Sequence, residues 1–387
     1  MRVRVALLVL AVYAAWVGAF LAAGNDVRDL VGFGKTYLDN GNFNLAFNHP
    51  DVKPIRAGGY EPRSETGYDG QFAYYLAARP EHAEAFMDAP YLRYSRALHP
   101  IAARVLALGD EDAIPWTLLL INWLAAGAGT FFLASWLQAR GLSRWYALLF
   151  GLFPGIFVGV QRDLTEPLAY ALVTLGLLLY DNPRRSRILA AGVAFGLAGL
   201  ARQTTLLFPI VIGLWLSLAE GRRRDGLALL GLSVAPYLAY SIFLRVWLGS
   251  VDDAGNLTSI PFEGLFQGGW VGERQAVTLA TVVVPALIAL VVLLPRGEPF
   301  RSGAWLPWLL LLANFLLSVV FFANLGTNTY TSMGRLGTGM LLAAVMCLPY
   351  AEKPPARRRK WLAAAAVLAV VVPLPVVAVQ GFTSLAG

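Results

Sequence analysis

Cysteine is almost missing from this chain. Cys347 stands alone in an apolar run, so no internal disulfide forms and no cysteine-based metal site exists. Histidine is nearly as scarce: His49, His82 and His99 all fall in one stretch, without metal-ligand spacing. No metal and no cofactor is therefore expected. Charge is thin as well. Asp, Glu, Lys and Arg make up 14% of residues against 57% hydrophobic, where soluble domains carry about 25% charged residues. That deficit is membrane-class composition, so length counts spans rather than soluble domains. The sequence has no Ser/His protease pair, no glycine-rich nucleotide loop and no His-x-x-x-His pair, and those chemistries drop out. No internal repeat is visible.

What the chain does have is a series of apolar runs. Spans are expected near 5–23, 115–137, 145–160, 166–180, 188–201, 204–219, 227–248, 276–294, 304–323, 333–349 and 361–380. A crossing needs ~20 apolar residues, fewer where a helix is broken or buried in protein. The fold class is all-α: one integral membrane domain over 1–387, a polytopic protein of about eleven transmembrane helices. After Met1-Arg2-Val3-Arg4 come nineteen mainly apolar residues, a longer core than the ~7–15 of a signal peptide. We read an uncleaved first span.

The basic residues set the orientation. The net charge of +7 does not indicate nucleic acid, because 17 of 31 Lys and Arg sit in short clusters at the N-terminus and in alternate connections. The positive-inside rule puts those in the cytoplasm. The expected location is the plasma (inner) membrane, multi-pass, with a cytoplasmic N-terminus. Nine more basic residues fall in the first loop, whose length exempts it from the rule. The last five, Arg162, Arg202, Arg245, Arg274 and Arg335, stand on the outer side. All but Arg274 lie at the outer ends of apolar runs, where arginine is costly unless paired or wet. An anionic ligand at the outer leaflet would offset that cost.

One long polar stretch breaks the pattern. Residues 24–112 form a loop after the first span, extracytoplasmic on this topology, and 249–275 a second, shorter outer loop. Within the first lies Thr66-Gly67-Tyr68-Asp69-Gly70-Gln71-Phe72-Ala73-Tyr74-Tyr75-Leu76. Tyr68, Phe72, Tyr75 and Leu76 recur at helical spacing, which predicts a helix lying flat in the interface. Asp69 at its first turn is either a site carboxylate or an ordinary N-terminal cap. Further on, Arg93 and Arg96 alternate with Tyr91 and Tyr94. They either cradle a phosphate with forked hydrogen bonds or snorkel to the headgroups. The turn with Arg162, Asp163, Thr165 and Glu166 opens the next span at Pro167. It is either a self-neutralised helix start or part of a cavity. Arg202-Gln203 is a similar, weaker signal, and Arg335 among the glycines of 326–339 has no packing explanation.

The order of these motifs resembles the GT-C superfamily of multi-span glycosyltransferases, in particular the branch of PIG-V-type mannosyltransferases and their bacterial relatives. The resemblance rests on Tyr68-Asp69-Gly70-Gln71-Phe72-Ala73-Tyr74, Leu98-His99-Pro100-Ile101, Leu164-Thr165-Glu166-Pro167 and Leu200-Ala201-Arg202-Gln203-Thr204. It covers roughly residues 1–220. Tyr68 stands where the family usually has tryptophan or another bulky residue. The resemblance implies transfer of a sugar, a mannose-like hexose, from a polyprenyl-phosphate donor to a hydroxyl of a cell-envelope glycan or lipid, by inverting displacement. The bilayer, a lipid-linked sugar donor and a glycan or lipid acceptor are the expected partners. Asp69 is the expected base, with Asp163 or Glu166 as second catalytic carboxylates. Arg93, Arg96, His99, Arg162, Arg202, Gln203 and Arg335 are expected on the donor phosphate and sugar, and Tyr68, Gln71, Tyr74 and Tyr75 beside them. Three other readings compete: a transporter or flippase of lipid-linked sugars, an O-antigen polymerase or ligase, and a non-catalytic assembly subunit in which Asp69, Asp163 and Glu166 are all dispensable. A transporter has no need of the long first loop, and the polymerases are expected to carry theirs late in the chain.

Overall fold

The computed structural model describes residues 2–38, 57–181, 184–249, 260–266, 272–296, 298–300, 302–320, 330–350 and 356–386. Among these the protein is all-helical, with no strand and one isolated bridge, Gly34 to Ser64. Helices occupy each apolar run named above. Four of them are long and apolar enough to cross a membrane: Arg2–Ala22, Ile114–Ala139, Arg223–Leu248 and Arg358–Val379. Glu166–Tyr180, Gln203–Leu218, Ala276–Val292 and Trp305–Val320 are apolar but shorter. Most of the second outer loop, 250–259 and 267–271, lies outside the described residues.

The stretch expected as one span over 145–160 is broken. A short turn at Arg144–Ala147 leads into Leu148–Gly151, and a separate helix Pro154–Gln161 follows. Pro154 lacks the amide hydrogen that a continuing helix needs, and its fixed φ suits a first helical turn. The second piece ends at Arg162, and Asp163 then takes a left-handed φ of +49°. Chain reversal there delivers Glu166 to the start of Glu166–Tyr180, where Pro167 again occupies the first turn.

The helix expected to present an aromatic face to the interface is instead packed inside the protein. This helix of the first loop, Gly70–Ala78, buries every residue except Ala73. Phe33 meets Tyr74 edge-on at 4.8 Å, Tyr37 meets Phe72 at 5.3 Å and Tyr75 leans on Phe86 at 5.5 Å between ring centres. Aromatic pairs at these separations contribute beyond simple burial. The loop thus builds its own core, sealed below by Ile114, Leu118, Leu244 and Leu248 of the membrane helices. Of the residues that set the helical period, Phe72, Tyr75 and Leu76 pack within the loop, while Tyr68 packs against the main helical core.

Two close approaches fix this unit to the helices beneath. A Cβ on Gly70 would stand 2.2 Å from the carbonyl oxygen of Arg162, so only glycine lets the helix start press against the 162–165 turn. A Cβ on Gly155 would stand 2.3 Å from the carbonyl oxygen of Gly334. That contact seats the start of helix Tyr330–Cys347, and hence Arg335, beside the same turn.

Candidate functional site

Asp69 precedes helix Gly70–Ala78 in helical backbone geometry, and its side chain makes no capping hydrogen bond. The carboxylate turns instead to two arginines. Oδ1 lies 3.2 Å from Nη1 of Arg93, and Oδ2 accepts from Nη1 of Arg335 at 2.9 Å. Arg335 donates through Nε to Glu166, and Arg202 Nη1 lies 2.8 Å from the same Glu166 oxygen. Arg93 also holds Asp88 at 2.8 Å through both Nε and Nη2. The result is a chain of alternating charge: Asp88, Arg93, Asp69, Arg335, Glu166, Arg202. Arg96 stands alongside and donates to Gln203 at 3.2 Å.

Burial makes this arrangement costly. The side chains of Glu166, Arg202 and Arg335 are 0%, 6% and 8% exposed, while Asp69 keeps 30%. Ions so placed persist only when paired. Burial alone would raise the Asp69 carboxyl, but the guanidiniums of Arg93, Arg335 and Arg96 outweigh it and hold Asp69 well below the usual carboxylate range. Burial also opposes the charge on Arg93, which Asp69 and Asp88 reverse, leaving it raised. Arg96 has the opposite balance. Burial, then Arg202, Arg93 and Arg335, push it down to about 9. A guanidinium does not give up its proton under ordinary conditions, so Arg96 is a buried cation beside three other guanidiniums, with Asp69 opposing them.

Beside the cluster is a cavity of about 30 Å³, lined by Asp69, Phe72, Arg93, Arg96, Asp163, Thr165 and Arg335 with four further residues. That is room for about two waters. Phe72, Asp88 and Thr165 were not singled out as site residues by the sequence. Phe72 lies under the Arg93 guanidinium at 4.2 Å and clamps it by cation–π attraction. Its helical spacing with Tyr68 was the available signal. Asp163 is fully buried, and neither carboxyl oxygen has a hydrogen-bond partner among the described residues; the same holds for the Thr165 hydroxyl. Burial pushes the Asp163 carboxyl up.

Tyr68, Arg162, Arg202 and Gln203 also stand around the cluster. The guanidiniums of Arg162 and Arg335 lie 5.1 and 5.9 Å from the Tyr68 ring centre. Burial lowers Arg162. Four expected site residues go elsewhere. Gln71 is tied to backbone, accepting from Gly34 N and donating to the Thr66 carbonyl, both at 2.9 Å. Tyr74 and Tyr75 lie in the loop's aromatic core. His99 is fully buried, with Nε2 3.5 Å from the Leu118 carbonyl oxygen, and burial pushes it down to about 4. It is a neutral group behind Pro100, which does line the cavity. Among the described residues no group of three or more His, Cys, Asp or Glu is placed to hold a metal.

A roomier cleft of about 110 Å³ runs between apolar side chains including Phe153, Pro285, Met340 and Leu362. Among the described residues that line it, none is charged. Helix Tyr330–Cys347 connects the two places: Arg335 is in the ion cluster, and Gly337, Met340, Leu341, Ala344 and Val345 line the cleft.

Comparison with family models, with curated proteins and with solved structures finds no match to this chain.

Proposed function

We propose that this chain is a membrane glycosyltransferase. It moves a sugar, a mannose-like hexose, from a polyprenyl-phosphate donor to a hydroxyl of a cell-envelope glycan or lipid at the outer face of the plasma membrane. The observation that carries this reading is the position of Asp69. Its carboxylate declines the cap of its own helix and stands between Arg93 and Arg335 at the mouth of a buried ion cluster.

In the reaction the acceptor oxygen attacks the anomeric carbon as the bond from that carbon to the donor phosphate oxygen breaks. Asp69 takes the hydroxyl proton. The phosphate passes from a singly charged diester to a doubly charged monoester, so negative charge grows where Arg93, Arg96, Arg202 and Arg335 are gathered. Arg96 supplies positive charge that such an anion answers. The ion pairs of the empty site hold Asp69 at low basicity. A bound phosphate draws Arg93 and Arg335 toward itself, and Asp69 becomes a better base only when donor is present. Helix Tyr330–Cys347 suits a lipid-borne donor, with a cation at one end and an apolar cleft along its length. The finer topology of about eleven crossings, with the first loop outside, belongs to this proposal.

The test is sugar transfer by purified protein from a panel of polyprenyl-phosphate sugars, wild type beside Asp69→Asn. The expected result is turnover by the wild type and a fall of roughly 10²–10⁴-fold in the variant at equal folding. Equal turnover by the variant would remove Asp69 from the role of base. Specific donor binding by both proteins with no transfer would favour a transporter of lipid-linked sugars.

A further inference from the structure

Asp163 is the residue whose position the ion cluster does not explain. It lines the same cavity as Asp69 and the arginines, yet it joins none of their pairs. It is fully buried. Its backbone sits at φ +49°, a left-handed conformation that non-glycine residues adopt at a cost. Two residues on, the Thr165 hydroxyl is also buried and also without a partner among the described residues. Buried polar groups are ordinarily hydrogen-bonded, and each exception needs a reason. A packing role would be served better by an apolar side chain, and the left-handed turn, which aspartate tolerates, does not of itself call for burying an unpaired carboxyl.

Resting on the glycosyltransferase reading, we infer that Asp163 and Thr165 bind hydroxyls of the donor's sugar, while the arginines that line the same cavity bind the phosphate. The chemistry divides accordingly. Arginines are donors only, and match phosphate oxygens. A carboxyl oxygen accepts, a hydroxyl both donates and accepts, and together they match ring hydroxyls, which also do both. Burial pushes the Asp163 carboxyl up, which lessens its repulsion toward the nearby phosphate. In the empty protein, water in the cavity meets these oxygens, and ring hydroxyls take its place when donor binds. A site built to bond a hydroxyl discriminates strongly against a ligand that lacks it, because its own buried groups are left unpaired. Asp163 and Thr165 are specificity-determining residues in this assignment, distinct from the base.

The test is binding by the full-length protein in nanodiscs of polyprenyl-phosphate mannose, polyprenyl-phosphate glucose and sugar-free polyprenyl phosphate. Wild type is compared with Asp163→Gly, Asp163→Asn and Thr165→Val. Glycine suits the left-handed backbone, so Asp163→Gly removes the carboxyl without straining the turn; Asn tolerates that conformation and keeps a donor and an acceptor. Wild type is expected to bind one hexose lipid more tightly than sugar-free polyprenyl phosphate. Asp163→Gly and Thr165→Val are expected to lose about 10- to 100-fold for that hexose lipid and to bind sugar-free polyprenyl phosphate unchanged. Asp163→Asn should recover most of the loss. Equal weakening for lipids with and without sugar, no weakening at all, or no wild-type preference for a hexose lipid would overturn the subsite. Failure of the wild type to bind any of the three lipids would overturn the underlying donor reading as well.

Discussion

Arg335 crosses 266 positions of sequence to donate to Asp69 at 2.9 Å. Its other nitrogen, Nε, serves Glu166. One guanidinium therefore joins the first loop, the 162–166 turn and the last third of the chain. Removing its partners one at a time has different expected effects, because the two carboxylates differ in burial.

Glu166→Gln leaves Arg202 and Arg335 facing each other with no exposed surface to rehydrate the lost charge. Breaking a buried pair from one side costs about 3–5 kcal/mol. We expect a large drop in the thermal midpoint in detergent, with activity lost through folding as well as chemistry. A midpoint within a degree or two of wild type would show that the cluster is not a stability element.

Arg96→Gln is expected to act in the other direction. The residue sits among Arg93, Arg202 and Arg335 and is pushed down by them and by burial, so its removal relieves repulsion in the empty protein. The unliganded variant should melt at or above the wild-type temperature. Polyprenyl phosphate at a fixed excess should raise the wild-type midpoint and raise the variant's much less, a tenfold loss of affinity corresponding to about 1.4 kcal/mol. Thermal shift with and without the lipid reads both effects.

Asp163 sets a pH dependence whose sign follows from its raised folded-state pKa. The unfolded chain gives up this proton at about 4, while the folded chain keeps it to higher pH. Between those values the folded state binds more protons, so stability falls as pH rises. The Asp69 shift runs downward, so its contribution is present above the ordinary carboxylate range and is lost only in strong acid. Above pH 4, then, subtracting the thermal midpoints of Asp163→Asn from those of wild type should give a difference that grows more negative with pH. A difference flat from pH 4 to 8 would contradict the upward shift of Asp163.

Gly70→Ala tests the close approach to Arg162. The added methyl meets backbone oxygens of Arg162 and Val31 at 2.2 and 2.6 Å, and backbone gives way less readily than a side chain. We expect a loss of about 1–3 kcal/mol from overpacking and displacement of Asp69 from its arginines. Transfer activity should fall more steeply than folding, measured as specific activity of the folded fraction.

Much of the helical framework was legible because apolar runs between arginine-bearing turns have only themselves to satisfy their backbone groups. Arg202 and Arg335 were legible as charges in the wrong place, and Glu166 and Asp69 as carboxylates beside helix starts. Their pairing was not, since nothing in a single sequence says which distant cation answers which anion. The period of Tyr68, Phe72, Tyr75 and Leu76 was visible, but a 3.6-residue stripe looks the same against lipid and against a local core. Deciding between them needed Phe33, Tyr37 and Phe86, far off in sequence. Gln71 reads as a binding residue beside Asp69 until Gly34 and Thr66 are seen to use both ends of its amide. The break at 152–154 was signalled by Pro154, which an apolarity count passes over.

The ion cluster also orders events during synthesis. Asp69 leaves the ribosome first and Arg335 follows 266 residues later, a delay of roughly tens of seconds at ordinary elongation rates. Through that interval the nascent chain has the first loop, Arg93 and the 162–166 turn, but no guanidinium to bridge them. The charged pocket closes only when the last third of the chain has entered the membrane. A chain that stalls before Arg335 has Glu166 paired with Arg202 alone and lacks the bridge from that carboxylate to Asp69.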